Sequence, residues 1–309
     1  MQFDVASAIN RGRRDYQEDA LATDFPLGGE VGFAILSDGM GGHAAGDVAS
    51  KIVVTEVFSE LKLQSGNAAH LADNICQILR GAVRVANECV KAHTDDHSEA
   101  AGMGATLVAP VVFGDRLHWI SVGDSPLFLF RDGALAQLNE DHSLAPQIDF
   151  MVDKGLMDPD EGRFHPDRNS LTSVLIGGDI ERIDCPEKPV QLQDGDTLIV
   201  ASDGLQFLSN EQITTVLKHY GDRSSAEIAD LLLEALENLG DPDQDNVSFS
   251  VIKVEHSARS ARAAVSQIDA VEPDASHRKT SGSMVARWPF KGGKTVFSSA
   301  RNLRGNRQA

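Results

Sequence analysis

The sequence predicts a domain of mixed α and β structure in which neighbouring strands pair antiparallel. Three observations lead there: short apolar runs of strand length, apolar stripes at helical spacing between them, and glycine-containing dipeptides joining successive runs. The strand-like runs are 3–9, 31–36, 106–113, 117–122, 127–130, 197–201 and 247–254. Helical spacing links Val48, Ile52, Val53, Val57 and Leu61, then Leu71, Ile75, Ile78, Ala82 and Val85, then Ile228, Leu231, Leu232, Ala235 and Leu239. These stripes read as core faces. Gly114-Asp115 and Asp132-Gly133 lie between strand-like runs and read as hairpin turns. A parallel, doubly wound sheet is disfavoured, because parallel strands need long crossovers.

Composition supports a packed body followed by a different kind of segment. The chain has 309 residues, 41% of them hydrophobic, which is ample for a core, and a formal charge of −18. That charge is unevenly spread. Residues 257–309 hold ten Lys or Arg against Asp269, Glu272 and Asp274, a net +7, which leaves −25 on residues 1–256. A body so acidic repels phosphate backbones, so nucleic-acid binding by the folded part is excluded as an expectation. Past residue 255 the apolar periodicity stops and Ser, Arg, Gly and Ala take over, so residues 256–309 read as a disordered basic tail. Its apolar cluster, Trp288-Pro289-Phe290 followed by Lys291, is a candidate docking motif for an acidic partner, an anionic membrane surface or the acidic body itself, with a solvated linker as the alternative.

No apolar stretch reaches the roughly 18 residues that span a bilayer, and Met1-Gln2-Phe3-Asp4 lacks the basic, apolar opening of a signal peptide. A cytoplasmic location is expected. Cys76, Cys89 and Cys185 are odd in number and widely spaced, which suits reduced thiols.

The chemistry lies in a repeated pattern, an apolar run ending in a small residue and then Asp with a turn. Ser37-Asp38-Gly39 and Ser202-Asp203-Gly204 are near-copies, Gly123-Asp124-Ser125 is a third case, and Asp245-Asn246 mirrors it before the last run. An Asp at the end of a buried strand is short and rigidly held, so several can converge on one point. Converging carboxylates stay ionised together only around a cation. An all-oxygen set without a Cys or His cluster favours a hard ion such as Mg²⁺, Mn²⁺ or Ca²⁺. Two such ions suit phosphoryl hydrolysis. The glycines of Asp38-Gly39-Met40-Gly41-Gly42-His43 fit neither common nucleotide-cradling pattern, and close backbone approach to metal explains them better. Arg11, Arg13 and Arg14 form a positive knot suited to a phosphate.

With these residues in view, the sequence resembles the protein phosphatase type 2C family, the PPM-type metal-dependent protein serine/threonine phosphatases, in its bacterial form. Arg14-Asp15-Tyr16-Gln17-Glu18-Asp19 is similar to the family's R-x-x-N-[EQ]-D, and residues 38–43 to its D-G-M-G-G-H. Gly102-Met103-Gly104-Ala105-Thr106 resembles G-x-[GA]-T, Val122-Gly123-Asp124-Ser125 resembles V-G-D-S-R, and Asp141-His142-Ser143-Leu144 resembles the D-H-S-L that opens a flap. Residues 165–172 look like H-P-x-R-N-x-L-T, Ala201-Ser202-Asp203-Gly204-Leu205 like A/C-S-D-G-L/V, and Asp245-Asn246-Val247-Ser248 like D-N-[IV]-[ST]. Each motif is weak alone. All of them in family order make the resemblance specific.

The resemblance implies an α+β fold: a β-sandwich of two antiparallel sheets flanked by helices on both faces, a four-layer αββα arrangement, with metals in a cleft at one end. It implies a phosphatase domain over 2–255 with a flap over about 141–180. Asp38 is then expected to bridge two Mg²⁺ or Mn²⁺ ions, the Gly39 carbonyl to bind one, and Asp203 with Asp245 to bind the other. Asp124 matches the acid that holds a weaker third ion together with the acid at Asp203. Arg14 is expected to hold the substrate phosphate, and Asp19, with Glu18 less directly, to hydrogen-bond the water that attacks phosphorus in line. Met40 stands where some members carry a proton-donating histidine. His43 is the neighbouring candidate for that role; a metal-bound water or a structural loop histidine are the alternatives. Other departures are Gln17 for Asn, Pro126 for Arg, Phe207 at a position acidic in some members, and residues 173–178 in the flap.

The implied activity is hydrolysis of phosphoserine and phosphothreonine in proteins, opposing a cognate Ser/Thr kinase, with a monomer expected. Two alternatives stand beside it: a catalytically weak phosphoprotein-binding module, and a hydrolase of small phosphoesters.

Overall fold

The computed structural model describes residues 1–41 and 45–255. The candidate His43 and the expected tail from residue 256 lie outside the described residues. The chain opens with β1 (Gln2–Asn10), β2 (Ala20–Asp24), β3 (Val31–Ser37) and the short β4 (Gly39–Met40), then α1 (Ala45–Gln64), α2 (Ala68–Asp73) and α3 (Ile75–Asp96). There follow β5 (Gly104–Ala105), β6 (Leu107–Phe113), β7 (Arg116–Val122), β8 (Leu127–Arg131) and β9 (Ala134–Gln137), and then α4 (Ala145–Asp153) and α5 (Pro159–Arg163) in the flap. The last third comprises β10 (Val190–Gln191), β11 (Thr197–Ala201), α6 (Asn210–Tyr220), α7 (Ser225–Leu239) and β12 (Val247–Glu255).

Two five-stranded sheets carry the fold, one in the order β1-β12-β11-β8-β9, the other β10-β7-β6-β3-β2. Every pairing within them is antiparallel. Both expected hairpins form. Phe113 pairs with Arg116 across Gly114-Asp115, and Arg131 pairs with Ala134 across Asp132-Gly133, where both turn residues have positive φ, 51° and 78°.

The layers follow from the period-two alternation of strand side chains. In β3, Phe33 and Ile35 face a cluster built with Val53, Val57 and Leu61 of α1 and Leu79 and Val83 of α3, while Ala34 and Leu36 face the other sheet. In β11, Ile199 and Ala201 pack with Ile213 of α6 and Leu232 of α7, while Leu198 and Val200 meet Leu36 and Val108 between the sheets. Both strands are buried on both faces, which is why they read as unbroken apolar runs rather than alternating ones. The result is the four-layer αββα sandwich implied by the resemblance.

Two helical stripes differ in detail from the sequence reading. Asn74 interrupts the stripe beginning at Leu71: it ends α2 and caps α3. The buried face of α3 then runs Ile75, Leu79, Ala82, Val83, Ala86 and Val90, and Val85 is exposed. In α7 Leu236 is buried and Leu239 is exposed, beside the left-handed Gly240 that ends the helix. Strands β2, β9 and β10 have no strong signature in the sequence, because they are edge or very short strands with partly exposed faces. No helix among the described residues is long and apolar enough to cross a membrane.

Candidate metal centre

Antiparallel pairing gathers the sequence-predicted acids at one end of the sandwich. Asp38 follows β3 and Asp124 follows β7, and these strands run in the same direction on either side of β6. Asp19 precedes β2, whose first residue pairs with Ser37 at the end of β3. From the other sheet, Asp203 follows β11 and Asp245 precedes β12, at ends brought together by the pairing of Ala201 with Phe249. Arg14 and Glu18 lie just past Asn10, which pairs with Val247. Seven residues from both sheets thus reach one rim.

The carboxylates feel one another. Burial, then the charges of Asp19, Asp203, Asp124 and Asp245, push Asp38 well above the usual carboxylate range. Asp19 is buried and is pushed up to about 7 by desolvation, offset in part by hydrogen bonds from Ser202 and Ser248. Asp124 is pushed up to about 7 by burial and by Asp203 and Asp141. Asp203 is raised by burial and Asp245, and a hydrogen bond with Asp38 works against that rise. Glu18 is raised by burial and lowered by Arg14.

Hard cations fit this donor set. Oxygen atoms Glu18 Oε1, Asp19 Oδ1 and Asp203 Oδ1 are buried without a hydrogen-bond partner, a costly state for a carboxylate. Among the described residues no nitrogen or sulfur ligand set competes with them. At Gly39 a Cβ would lie 2.0 Å from the Gly46 carbonyl oxygen, so only glycine lets β4 approach there. Among the described residues no group of three or more such side chains closes on one point. The acids gather at one rim of the sandwich, and their mutual repulsion favours a cation.

Second-layer groups fix the acids in place. Asn246 donates from Nδ2 to the carbonyls of Arg11 (2.8 Å) and Tyr16 (2.9 Å), and accepts at Oδ1 from the Glu18 amide (2.8 Å). One buried amide therefore clamps the whole loop bearing Arg14, Glu18 and Asp19. Arg14 donates from Nη2 to Asp245 Oδ2. Ser202 Oγ donates to Asp19 Oδ2 at 2.9 Å. Thr106 pairs its backbone amide with the Asp38 carbonyl (2.8 Å), accepts the Asp38 amide at Oγ1 (2.9 Å), and hydrogen-bonds Ser125 Oγ through the same hydroxyl (2.7 Å). It ties the Asp38 turn to the Asp124 turn. The roles of Asn246, Ser202 and Thr106 are absent from the sequence reading although all three stand inside quoted motifs.

The departures are also placed. Gln17 accepts the Asp19 amide at Oε1 (3.2 Å), closing a local turn that presents Asp19. Phe207 packs against the helix-side core of the first sheet rather than the cleft. Buried His142 accepts the Gly123 amide at Nδ1 (3.2 Å), and burial lowers its pKa, so it anchors the flap beside Asp124 as a neutral ring. The flap's far side is held by Asn87 of α3, which donates to the Gly178 carbonyl (2.7 Å) and accepts the Gly177 amide (2.8 Å).

The sequence matches protein phosphatase 2C over residues 8–240. The chain belongs to the protein phosphatase 2C family. The serine/threonine protein phosphatase PstP of Mycobacterium tuberculosis is 33% identical over 225 residues, covering 71% of this chain and 40% of that protein. The chain thus spans about two fifths of the length of that relative. The serine/threonine phosphatase stp of Listeria welshimeri is 29% identical over 245 residues, 79% of this chain and 93% of that protein. The crystal structure of the PstP catalytic domain in complex with two manganese ions superposes with a TM-score of 0.63 at 30% identity, covering 82% of this chain and 99% of that one. Family membership accounts for the convergence of acids from both sheets.

Raised carboxylates make a pH prediction for the metal-free 2C-family chain. The pKa of Asp19 and Asp124 is about 7 in the fold and about 4 in the unfolded chain, so protonation favours the folded state. Their contribution is complete below about pH 4 and is lost as pH rises through about 7. Chelated protein is expected to lose on the order of 2–4 kcal/mol between pH 5.5 and 8, with Mn²⁺ flattening the dependence. Calorimetric melting across that range checks it. Asp124→Asn should reduce the slope, which a general charge effect would not do.

Proposed function

We propose that this chain hydrolyses phosphoserine and phosphothreonine in proteins with the help of two Mg²⁺ or Mn²⁺ ions. The observation that supports this best is that Asp38, Asp203 and Asp245, carried by two different sheets, lie near enough at one rim for their charges to raise the pKa of Asp38 and Asp203, beside an arginine and a buried aspartate with a free acceptor oxygen. Asp38, the Gly39 carbonyl, Asp203 and Asp245 are the residues that would hold the ions, with Asp124 and Asp203 for a weaker third. Bound there, the ions supply an acidified water nucleophile and neutralise phosphoryl oxygens.

The chain's own groups do the rest. Arg14 is more than half exposed and its guanidinium, now on Asp245, is within reach of a phosphate entering the cleft, which it would grip through paired N–H donors. Asp19 presents Oδ1 as a proton acceptor while Ser202 fixes its other oxygen. Glu18 completes that acceptor pair from a position set by Asn246. His43 is the candidate donor to the leaving alkoxide.

Hydrolysis of a phosphothreonine peptide by chelator-stripped protein, with and without added Mn²⁺, tests the reading. Metal-restored turnover supports it, and a folded, metal-binding protein without turnover would replace it with the regulatory-module alternative. A faster rate on a small aryl phosphate than on any phosphopeptide would favour the small-phosphoester reading.

We further propose a cognate Ser/Thr kinase as the opposing enzyme, a monomeric body, and a cytoplasmic location. Three unpaired cysteines support the last of these. The net +7 of residues 257–309 supports docking of that segment to an acidic partner or anionic membrane surface. Residues 2–255 are proposed as the self-sufficient catalytic unit. Truncation after His256 is then expected to leave turnover on an aryl phosphate within about twofold, since the strand order closes on β12. An insoluble or inactive truncated protein would overturn that boundary.

A further inference from the structure

Three cysteines stand outside the cleft, and two of them are neighbours in space. Cys76 lies in the first turn of α3 and Cys185 on the segment that leads from the flap to β10, both against the core between α1, α3 and the second sheet. Cys76 Sγ donates to the carbonyl oxygen of Pro186, 110 residues away and next to Cys185, at 3.5 Å. Arg80, one turn along α3, donates to the Cys185 carbonyl at 3.4 Å. The Cys185 thiol lies close enough to Cys76 to be perturbed by it. A helix turn and a distant loop are thus held in contact through sulfur.

We propose that Cys76 and Cys185 are a redox-modification site, closing to an intramolecular disulfide when the protein meets a peroxide. Cys76 is half-buried and meets the oxidant first, whereas Cys185 is buried. The Cys76 sulfur attacks the peroxide, an S–O bond forms as the O–O bond breaks, and one water leaves with the sulfur oxidised by two electrons. Cys185 sulfur then attacks Cys76 sulfur, the S–S bond forms as the S–O bond breaks, and a second water leaves carrying the Cys185 proton. Two thiols and one hydrogen peroxide thereby give one disulfide and two waters. Burial and the neighbouring Cys76 push the Cys185 thiol up to about 12, which keeps it protonated and slow toward peroxide in solution, so its attack depends on the closeness of the Cys76 sulfur. In a reducing compartment such a bond is transient, as regulatory disulfides are.

The location gives the bond something to control. Asp184, beside Cys185, pairs its backbone in both directions with Ser121 of β7 (2.8 and 3.0 Å). Its Oδ2 accepts from Trp119 Nε1 (2.8 Å) and from the Glu140 amide at the flap's entry (3.0 Å). A disulfide at Cys185 would fasten this junction of flap entry and exit to α3.

The test uses the full chain treated with hydrogen peroxide and then alkylated, analysed by intact mass and peptide mapping. The expected result is a loss of about 2 Da with a single cross-linked peptide pair containing Cys76 and Cys185, reversed by dithiothreitol, with Cys89 still alkylated. Closing so long a loop should also raise the melting temperature by several degrees in the oxidised protein. Cys76→Ser should abolish both changes, and Cys89→Ser neither. Disulfide-linked dimers, a bond involving Cys89, or oxidation to sulfinic acid without a cross-link would each overturn the proposal. The mapping is made on the unaltered protein, so it decides even where a variant folds poorly.

Discussion

Replacing Asp203 by asparagine is expected to lower metal-dependent phosphatase turnover by about 10³-fold while leaving the chelated protein as stable as before or more so. The two effects have one origin. Asp203 is half-buried, has an unpartnered inner oxygen, and sits beside Asp245 and Asp38, all of one sign. Removing its charge relieves repulsion in the metal-free fold, but a cation then loses a ligand oxygen of full charge. A few kcal/mol of lost transition-state stabilisation corresponds to about three decades in rate. Steady-state kinetics on a phosphothreonine peptide, with melting curves in chelator, separates this from misfolding. A stable variant at full activity would remove Asp203 from the ligand set.

The second large effect is expected at a residue that touches neither metal nor phosphate. Asn246→Ala deletes the donors to Arg11 and Tyr16 and the acceptor for the Glu18 amide, in a side chain only 4% exposed. Leaving three part-buried backbone groups without these partners costs about 2–4 kcal/mol. The loop it clamps carries Arg14, so KM for phosphopeptide should rise as well as kcat fall. Urea unfolding reads the first quantity and kinetics at saturating Mn²⁺ the second. An unchanged KM with reduced stability would make Asn246 a packing residue only.

These two residues also mark how far the sequence can be read. Asp38 and Asp203 announce themselves because a carboxylate directly after an apolar run is a local signal, and the near-copies Ser37-Asp38-Gly39 and Ser202-Asp203-Gly204 double it. The antiparallel pairing is legible for the same reason, through two-residue turns at Gly114-Asp115 and Asp132-Gly133. The work of Asn246 is not local. Its partners lie 228 to 235 residues away, and only the pairing of β1 with β12 brings them within reach. Thr106 joins the Asp38 and Asp124 turns across β6 in the same way. The break at Asn74 was hidden because the apolar spacing runs through it, and the helix cap shows only as a single polar residue between two apolar ones.

The double burial of β3 and β11 carries a further consequence. Asp38 hangs from one sheet and Asp203 from the other, and what separates their strands is the inner layer of Ala34, Leu36, Leu198 and Val200. That layer is a spacer, and its thickness sets the span between the two halves of the ligand set. A bulkier residue at Ala34 should wedge the rim open and weaken cation affinity before it noticeably lowers melting temperature, since packed interiors transmit strain rather than absorb it. Residues of equal burial on the helix-facing sides, such as Phe33 and Ile199, have no such second duty. Over generations the inner layer should therefore drift less in volume than the outer ones, policed by metal chemistry as well as by folding.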